Sequence, residues 1–234
     1  MGYGWGVTED LALYLRPTYY VDSDAPSVVR FATEAAGEGT DRERVARVFL
    51  AVRDGIRYDP YVADFEPKSF KASTTLERKA SYCVPKAILL TACCRALGVP
   101  SRLGFADVTN HLATKRLLEL LNTAVFAFHG FSEVWLGGRW LKATPTFNAT
   151  LCEKFGVEPL VFDGEHDAVF HPFDKAGNKH MEYLRDRGRY ADFPLDEMYR
   201  VWREHYPKLF ELGFYPERPP GGFEAEAAAE KAGR

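Results

Sequence analysis

Cysteines and histidines are the residues of this 234-residue chain with the most chemistry to offer, and two of them stand in contexts that suit it. Cys83 precedes Val84-Pro85-Lys86-Ala87 and an apolar run that stops at Gly98-Val99-Pro100. Proline is tolerated in the first turn of a helix, where its missing N–H costs nothing, and glycine then proline ends one. Ile88, Ala92, Arg95 and Ala96 fall at helical spacing with Leu89 and Cys93 beside them, so the helix is expected to be largely buried. Cys83 then sits at the helix entrance, where unpaired N–H groups and the dipole favour negative charge. Such a setting can draw a thiol below about 8.5 and supply a thiolate at neutral pH.

A nucleophilic cysteine needs a base that takes its proton and hands it to the leaving group, and histidine is the usual choice. His129 is the candidate, because the hairpin signal Gly137-Gly138 follows it closely and would hold it on a rigid strand. A third group must orient the imidazole. The hairpin returns residues 143–146 past the His129 end of the partner strand, so the third group is expected there. His111, in a loop after a strand, is the alternative base. His166, His171 and His180 share no ligand spacing, and no metal is expected. Cys93 and Cys94 lie mid-helix and read, like Cys152, as packing. Among the aromatics of the C-terminal third, Phe162, Phe170 and Phe173 are candidate walls of a cleft.

The elements that must position these groups follow an α+β pattern. A strand is expected within residues 3–22 and a helix over 27–36. Thr40-Asp41-Arg42-Glu43 is a capping box opening a helix that ends near Gly55. Residues 59–72 read as a surface loop and 74–77 as a helical turn. Residues 101–108 read as a strand and 112–121 as helix. Strands are expected over 124–129, 131–136 and 139–143, the first two separate or continuous. Residues 151–215 read as a cap on the core, not a second domain, with an amphipathic helix from about Asp196. Residues 216–234 are expected to fray.

Two blocks together resemble the transglutaminase-like superfamily. Cys83-Val84-Pro85-Lys86-Ala87 with Cys94-Arg95-Ala96-Leu97-Gly98-Val99-Pro100-Ser101-Arg102 is similar to its nucleophile helix. The stretch from His129-Gly130-Phe131-Ser132-Glu133-Val134-Trp135 to Arg139-Trp140 is similar to its histidine strand and hairpin, and Ile56-Arg57-Tyr58-Asp59 to the segment before them. The resemblance covers about 40–150. It implies a papain-like α+β fold, with the nucleophile helix packed on an antiparallel sheet. It also implies a Cys-His-Asp triad and acyl transfer through a thioester to water or an amine. The chain departs from the pattern at Ser81, where glycine is usual, at Phe131, where tryptophan is common, and at the aspartate, whose slot reads Thr144-Pro145-Thr146. Thr144 can accept a hydrogen bond from the imidazole without bringing charge. Asn148 is a second neutral candidate, as asparagine is in papain-like enzymes. Glu133 stands at a family-typical position, with a structural role as fitting as any.

Composition narrows the partners. The chain is 46% hydrophobic and 14% aromatic, enough to bury a core without disulfides. A net charge of −3 with mixed signs gives no basic footprint, so no nucleic-acid partner is expected. No apolar run approaches the roughly 18 residues of a membrane span, and no basic-then-apolar leader opens the chain. The cysteines form no disulfide framework, so a reducing, cytoplasmic setting is expected. The expectation is a cysteine-dependent acyl-transfer enzyme that hydrolyses an amide or peptide bond without cofactor. The alternatives are a non-catalytic binding protein on the same fold and an acyltransferase with an amine acceptor.

Overall fold

Pro26 opens α1 (Pro26–Ala36), which turns Val28, Ala32 and Ala36 inward. Thr40 and Glu43 form the expected capping box: Thr40 N donates to Glu43 Oε2 at 2.8 Å and Glu43 N to Thr40 Oγ1 at 3.4 Å. That box starts α2 (Asp41–Gly55), which buries Val45, Val48, Phe49 and Val52. β1 (Arg57–Tyr58) leaves it, α3 (Ala72–Arg78) follows, and β2 (Ala80–Ser81) pairs in parallel with β1. This short pairing delivers the chain to α4 (Cys83–Ala96), of which Val84 through Arg95 are all buried. A helix buried on every side lies in the centre of its domain. Its two buried cations spend their donors on backbone carbonyls. Lys86 Nζ bonds Arg53 O at 2.8 Å and Ile56 O at 2.5 Å, tying α4 to the end of α2. Arg95 bonds Ser101 O, Arg16 O and Ala191 O. The computed structural model describes residues 10–111, 113–213 and 219–232.

α4 packs on an antiparallel sheet. β3 (Ser101–Asn110) follows it, then α5 (Lys115–Leu121), β4 (Val125–Leu136), β5 (Arg139–Ala143), α6 (Ala149–Phe155) and β6 (Met181–Tyr190). The strand order is β5-β4-β3-β6, each neighbouring pair antiparallel. β4 is one continuous strand across His129. Gly137 and Gly138 take φ of +59° and +82° at the tip of the β4–β5 hairpin, a turn that residues with a side chain resist. The chain ends with α7 (Leu195–His205), α8 (Pro207–Glu211) and α9 (Gly222–Ala232). α4 on an antiparallel sheet is the α+β arrangement the sequence implied.

Several expectations need correction. The described part of residues 3–22 holds a 3-10 turn at Leu11–Leu15 instead of a strand, with the Ala12 amide held by Asp10; residues 3–9 lie outside the described ones. The stretch 59–72 is not a surface loop. Its two 3-10 turns, Pro60–Val62 and Pro67–Phe70, bury Tyr61 and Phe70. The 151–215 segment is more than a cap, because β6 completes the sheet beside β3. A buried ion-pair bridge sets it there: Glu133 on β4 accepts from Arg102 on β3 at 2.8 Å and from Arg189 on β6 at 2.5 Å. The segment expected to fray contains α9, docked by buried Phe223 and Ala227, by Lys154 to Glu224 at 2.8 Å, and by Tyr61 to Glu226.

Candidate active site

Tyr82, in extended conformation, precedes Cys83, so the first amides of α4 have no intrahelical acceptor. The N–H groups of Cys83, Val84 and Gly130 approach the Cys83 sulfur and favour its thiolate. Burial outweighs them and pushes the thiol up to about 11. The residue keeps partial exposure, but its sulfur is closely surrounded. The low-pKa thiolate expected from the helix entrance is therefore corrected: desolvation wins over the dipole in this state.

The sheet is distorted directly before His129. The β3–β4 register shifts between Ala106 and Val108, and the extra residue is on β4, where Ala127 and Phe128 together lie opposite Asp107. Asp107 Oδ1 accepts from Phe128 N at 3.0 Å, and Arg187 clamps the same carboxylate at 2.6–3.0 Å. Phe128 sits at φ +64°, the left-handed region that costs a bulky residue of order 1–3 kcal/mol. The strain falls directly before His129, and Phe128 stacks on Phe105 at 4.6 Å. Beyond the histidine, Gly130 permits close approach of the helix: a Cβ there would meet Val84 Cα at 3.0 Å. The imidazole is 5% exposed, its pKa is lowered to about 4 by burial, and its Nε2 has no hydrogen-bond partner among the described residues. Its nearest ring is Phe170, with centroids 5.3 Å apart.

Neither neutral candidate for the third position bonds the imidazole. Thr144 is buried on the strand end next to β4, with its N–H on Ala168 O at 3.0 Å and its Oγ1 without a bond in good geometry. The Tyr183 hydroxyl lies close to Thr144 Oγ1 and to the Phe170 N–H. Asn148 is used elsewhere: its Oδ1 accepts from Tyr58 N at 3.0 Å and its Nδ2 donates to Thr150 Oγ1 at 2.7 Å. It fastens β1 to the start of α6.

Cys83 and His129 line one small cavity of about 50 Å³ with Tyr82, Trp202, Tyr206 and Leu209. That holds one or two waters, against roughly 300 Å³ or more for a ligand pocket. A wider surface cleft of about 630 Å³ lies beside α9, but its lysines are taken: Lys154 by Glu224, Lys175 by Glu158 and Lys179 by Glu182.

The other candidates lie apart. His111 pairs with Glu182 at 2.7 Å and His166 with Asp163 at 2.8 Å, both on the surface. His180 is buried between Phe147 and Phe170, with neither ring nitrogen bonded among the described residues. Among the described residues, no three His, Cys, Asp or Glu side chains group to hold a metal. Cys93, Cys94 and Cys152 are buried free thiols raised by burial. Phe162 packs on Phe49, and Phe173 is exposed; of the three candidate walls, Phe170 touches the histidine. Asp107, Phe128, Trp202 and Tyr206 are positioning and covering residues that sequence reasoning missed. An aspartate in mid-strand was the one signal available for the first of them.

No curated protein matches the chain. Among solved structures, it is similar to a "Putative Cysteine Protease" from Cytophaga hutchinsonii, at 18% identity and a TM-score of 0.46, over 79% of this chain and 55% of that one. It is also similar to a "putative protease" from Parabacteroides distasonis, at 16% identity and a TM-score of 0.37, over 60% of this chain and 26% of that one. The chain thus spans about half of the first and a quarter of the second. No helix among the described residues is long and apolar enough to cross a membrane. A sequence profile for the transglutaminase-like superfamily matches residues 29–145, a stretch that takes in α4, β4 and the hairpin, and the chain belongs to that superfamily.

Proposed function

We propose that the protein is a cysteine hydrolase that cleaves an amide or peptide bond through a thioester. The observation that carries this reading is the placement of Cys83, at the start of a buried helix, in one cavity with His129. Cys83 Sγ gives its proton to the imidazole and attacks the carbonyl carbon, forming the S–C bond. The resulting oxyanion lies near the Cys83 backbone N–H. As the C–N bond breaks, the imidazolium returns the proton to the leaving amine. Water then attacks the thioester, losing a proton to His129, and the thiol leaves with that proton. Water is the preferred acceptor because nothing in the chain marks an amine site.

A second reading has an observation behind it. The pair is neutral in this state, the imidazole lacks an acidic partner, and the cavity is small, which suits a protein that binds without cleaving. Screening against a peptide library separates the two. Cleavage that is lost, by at least about 10³-fold, in both Cys83→Ala and His129→Ala is the expected result. Cleavage that persists in Cys83→Ala overturns the hydrolase reading. Incorporation of a labelled amine in place of water would make the enzyme a transferase.

A further inference from the structure

β4 runs beyond its hairpin partner. β5 pairs with Ser132 through Leu136, and no strand among the described residues pairs with the preceding residues on that side. An open strand edge leaves backbone N–H and C=O groups that need partners. Side chains at the end of α7 supply them. The Tyr206 hydroxyl accepts from Ala127 N at 2.5 Å and donates to Val125 O at 3.1 Å, while Trp202 Nε1 donates to Ala127 O at 3.0 Å. These are alternate residues on one edge, the set an added strand would use. They lie two and four residues before His129, and the same two side chains line the cavity around Cys83.

The cover is attached at several points. Met198, Val201 and Trp202 are buried beneath α7. Tyr199 donates to Phe65 O at 2.6 Å on the far side. At its end, His205 Nε2 lies 3.4 Å from the Arg187 guanidinium that clamps Asp107. A substrate amide has to reach Cys83 Sγ, and a cavity of about 50 Å³ admits no peptide. We propose that α7 is an autoinhibitory strap: Trp202 and Tyr206 occupy the open edge of β4 and the mouth of the cysteine cleft, and the protein exposes Cys83 by releasing this helix. The proposal rests on Cys83 and His129 being the working pair, but access to the thiol can be measured without turnover.

Tyr206→Phe with Trp202→Phe keeps the rings and removes the bonds to the strand edge. In the closed state Ala127 N, Ala127 O and Val125 O then lose these partners, a penalty that opening relieves by hydration. The variant therefore shifts the balance toward the open form. The probe is iodoacetamide labelling of each cysteine by mass spectrometry at pH 8.5. Cys83 is expected to label at least tenfold faster in the double variant, with Cys93, Cys94 and Cys152 unchanged. An unchanged Cys83 rate overturns the strap, and so does an equal rise at all four cysteines, which would mean the whole fold opens. Hydrogen exchange on the unmodified protein gives a second reading. Amides of α7 and of Ala127 should exchange together, at least tenfold faster than those of α4; exchange of α7 at the rate of α4 overturns the proposal. Faster labelling without cleavage of any peptide sinks the hydrolase and keeps the strap. Peptide cleavage at equal rates in both proteins, with unchanged labelling, does the reverse.

Discussion

At Cys83 and His129, burial decides the charge state. With the thiol near 11 and the imidazole near 4, both are neutral between those values, and the thiolate–imidazolium pair is not the resting form. An acidic partner would change that balance most directly at the position where the family pattern has its aspartate. Thr144→Asp places a carboxylate there, beside the Tyr183 hydroxyl and the Phe170 N–H that can help solvate it. A nearby opposite charge raises an imidazole pKa by about 1–3 units. The expected result is an upward shift of that size in the His129 titration followed by NMR, with faster Cys83 alkylation near pH 7. A histidine that titrates as before would show that position 144 does not act on the ring. The places of Cys83 and His129 in the fold were legible in the sequence because each is bound to a local signal: a helix entrance for one, a hairpin for the other. The third position was not. Order along the chain names the strand end, but Asn148 is spent on Tyr58 N, a partner 90 residues away.

The close approach of α4 to β4 is what makes these two residues neighbours at all. Gly130 permits it, since an added Cβ would lie 3.0 Å from Val84 Cα, and a backbone atom at a helix start cannot simply rotate aside. Gly130→Ala is expected to cost about 1–3 kcal/mol, in the range for overpacking a buried contact. It should also displace Cys83 and slow any Cys83-dependent reaction at least tenfold, whereas thermal melts alone would register only the stability loss. Element types near strong punctuation were readable: the capping box at Thr40, the stop at Gly98-Val99-Pro100, the turn at Gly137-Gly138. β6 was not, because only its pairing with β3 makes it a strand. Its inner register is set by ion pairs from Arg187 and Arg189 to acids on β3 and β4, and its Leu184 is exposed. An exposed edge strand with that many charges lacks the alternation that sequence reading relies on. α9 was hidden by its alanine- and glutamate-rich composition; it docks through only two buried apolar side chains, Phe223 and Ala227.

Across the whole molecule, the polar groups that burial leaves without partners should govern the response to acid. His129 and His180 both have pKa values lowered to about 4, burial being the main cause in each. Their unfolded value is about 6.5, so between 6.5 and 4 the unfolded chain binds more protons than the folded one. Stability is therefore complete above about pH 6.5, falls as the pH drops, and levels off below 4, where both rings are charged in either state. Each histidine can contribute up to about 3 kcal/mol to this loss. The carboxylates of Glu43, Glu182 and Glu224, held low by hydrogen bonds, add a loss of their own at the acid end of this window. Lys86, lowered to about 7, makes stability rise from there toward 10.5, and Asp107, held low by Arg187, matters only in stronger acid. Denaturant melts at pH 7.0 and 4.5 should differ by several kcal/mol in the parent protein. His180→Phe, which keeps an aromatic ring between Phe147 and Phe170, should retain roughly half of that difference. An undiminished difference would place the acid response in other groups.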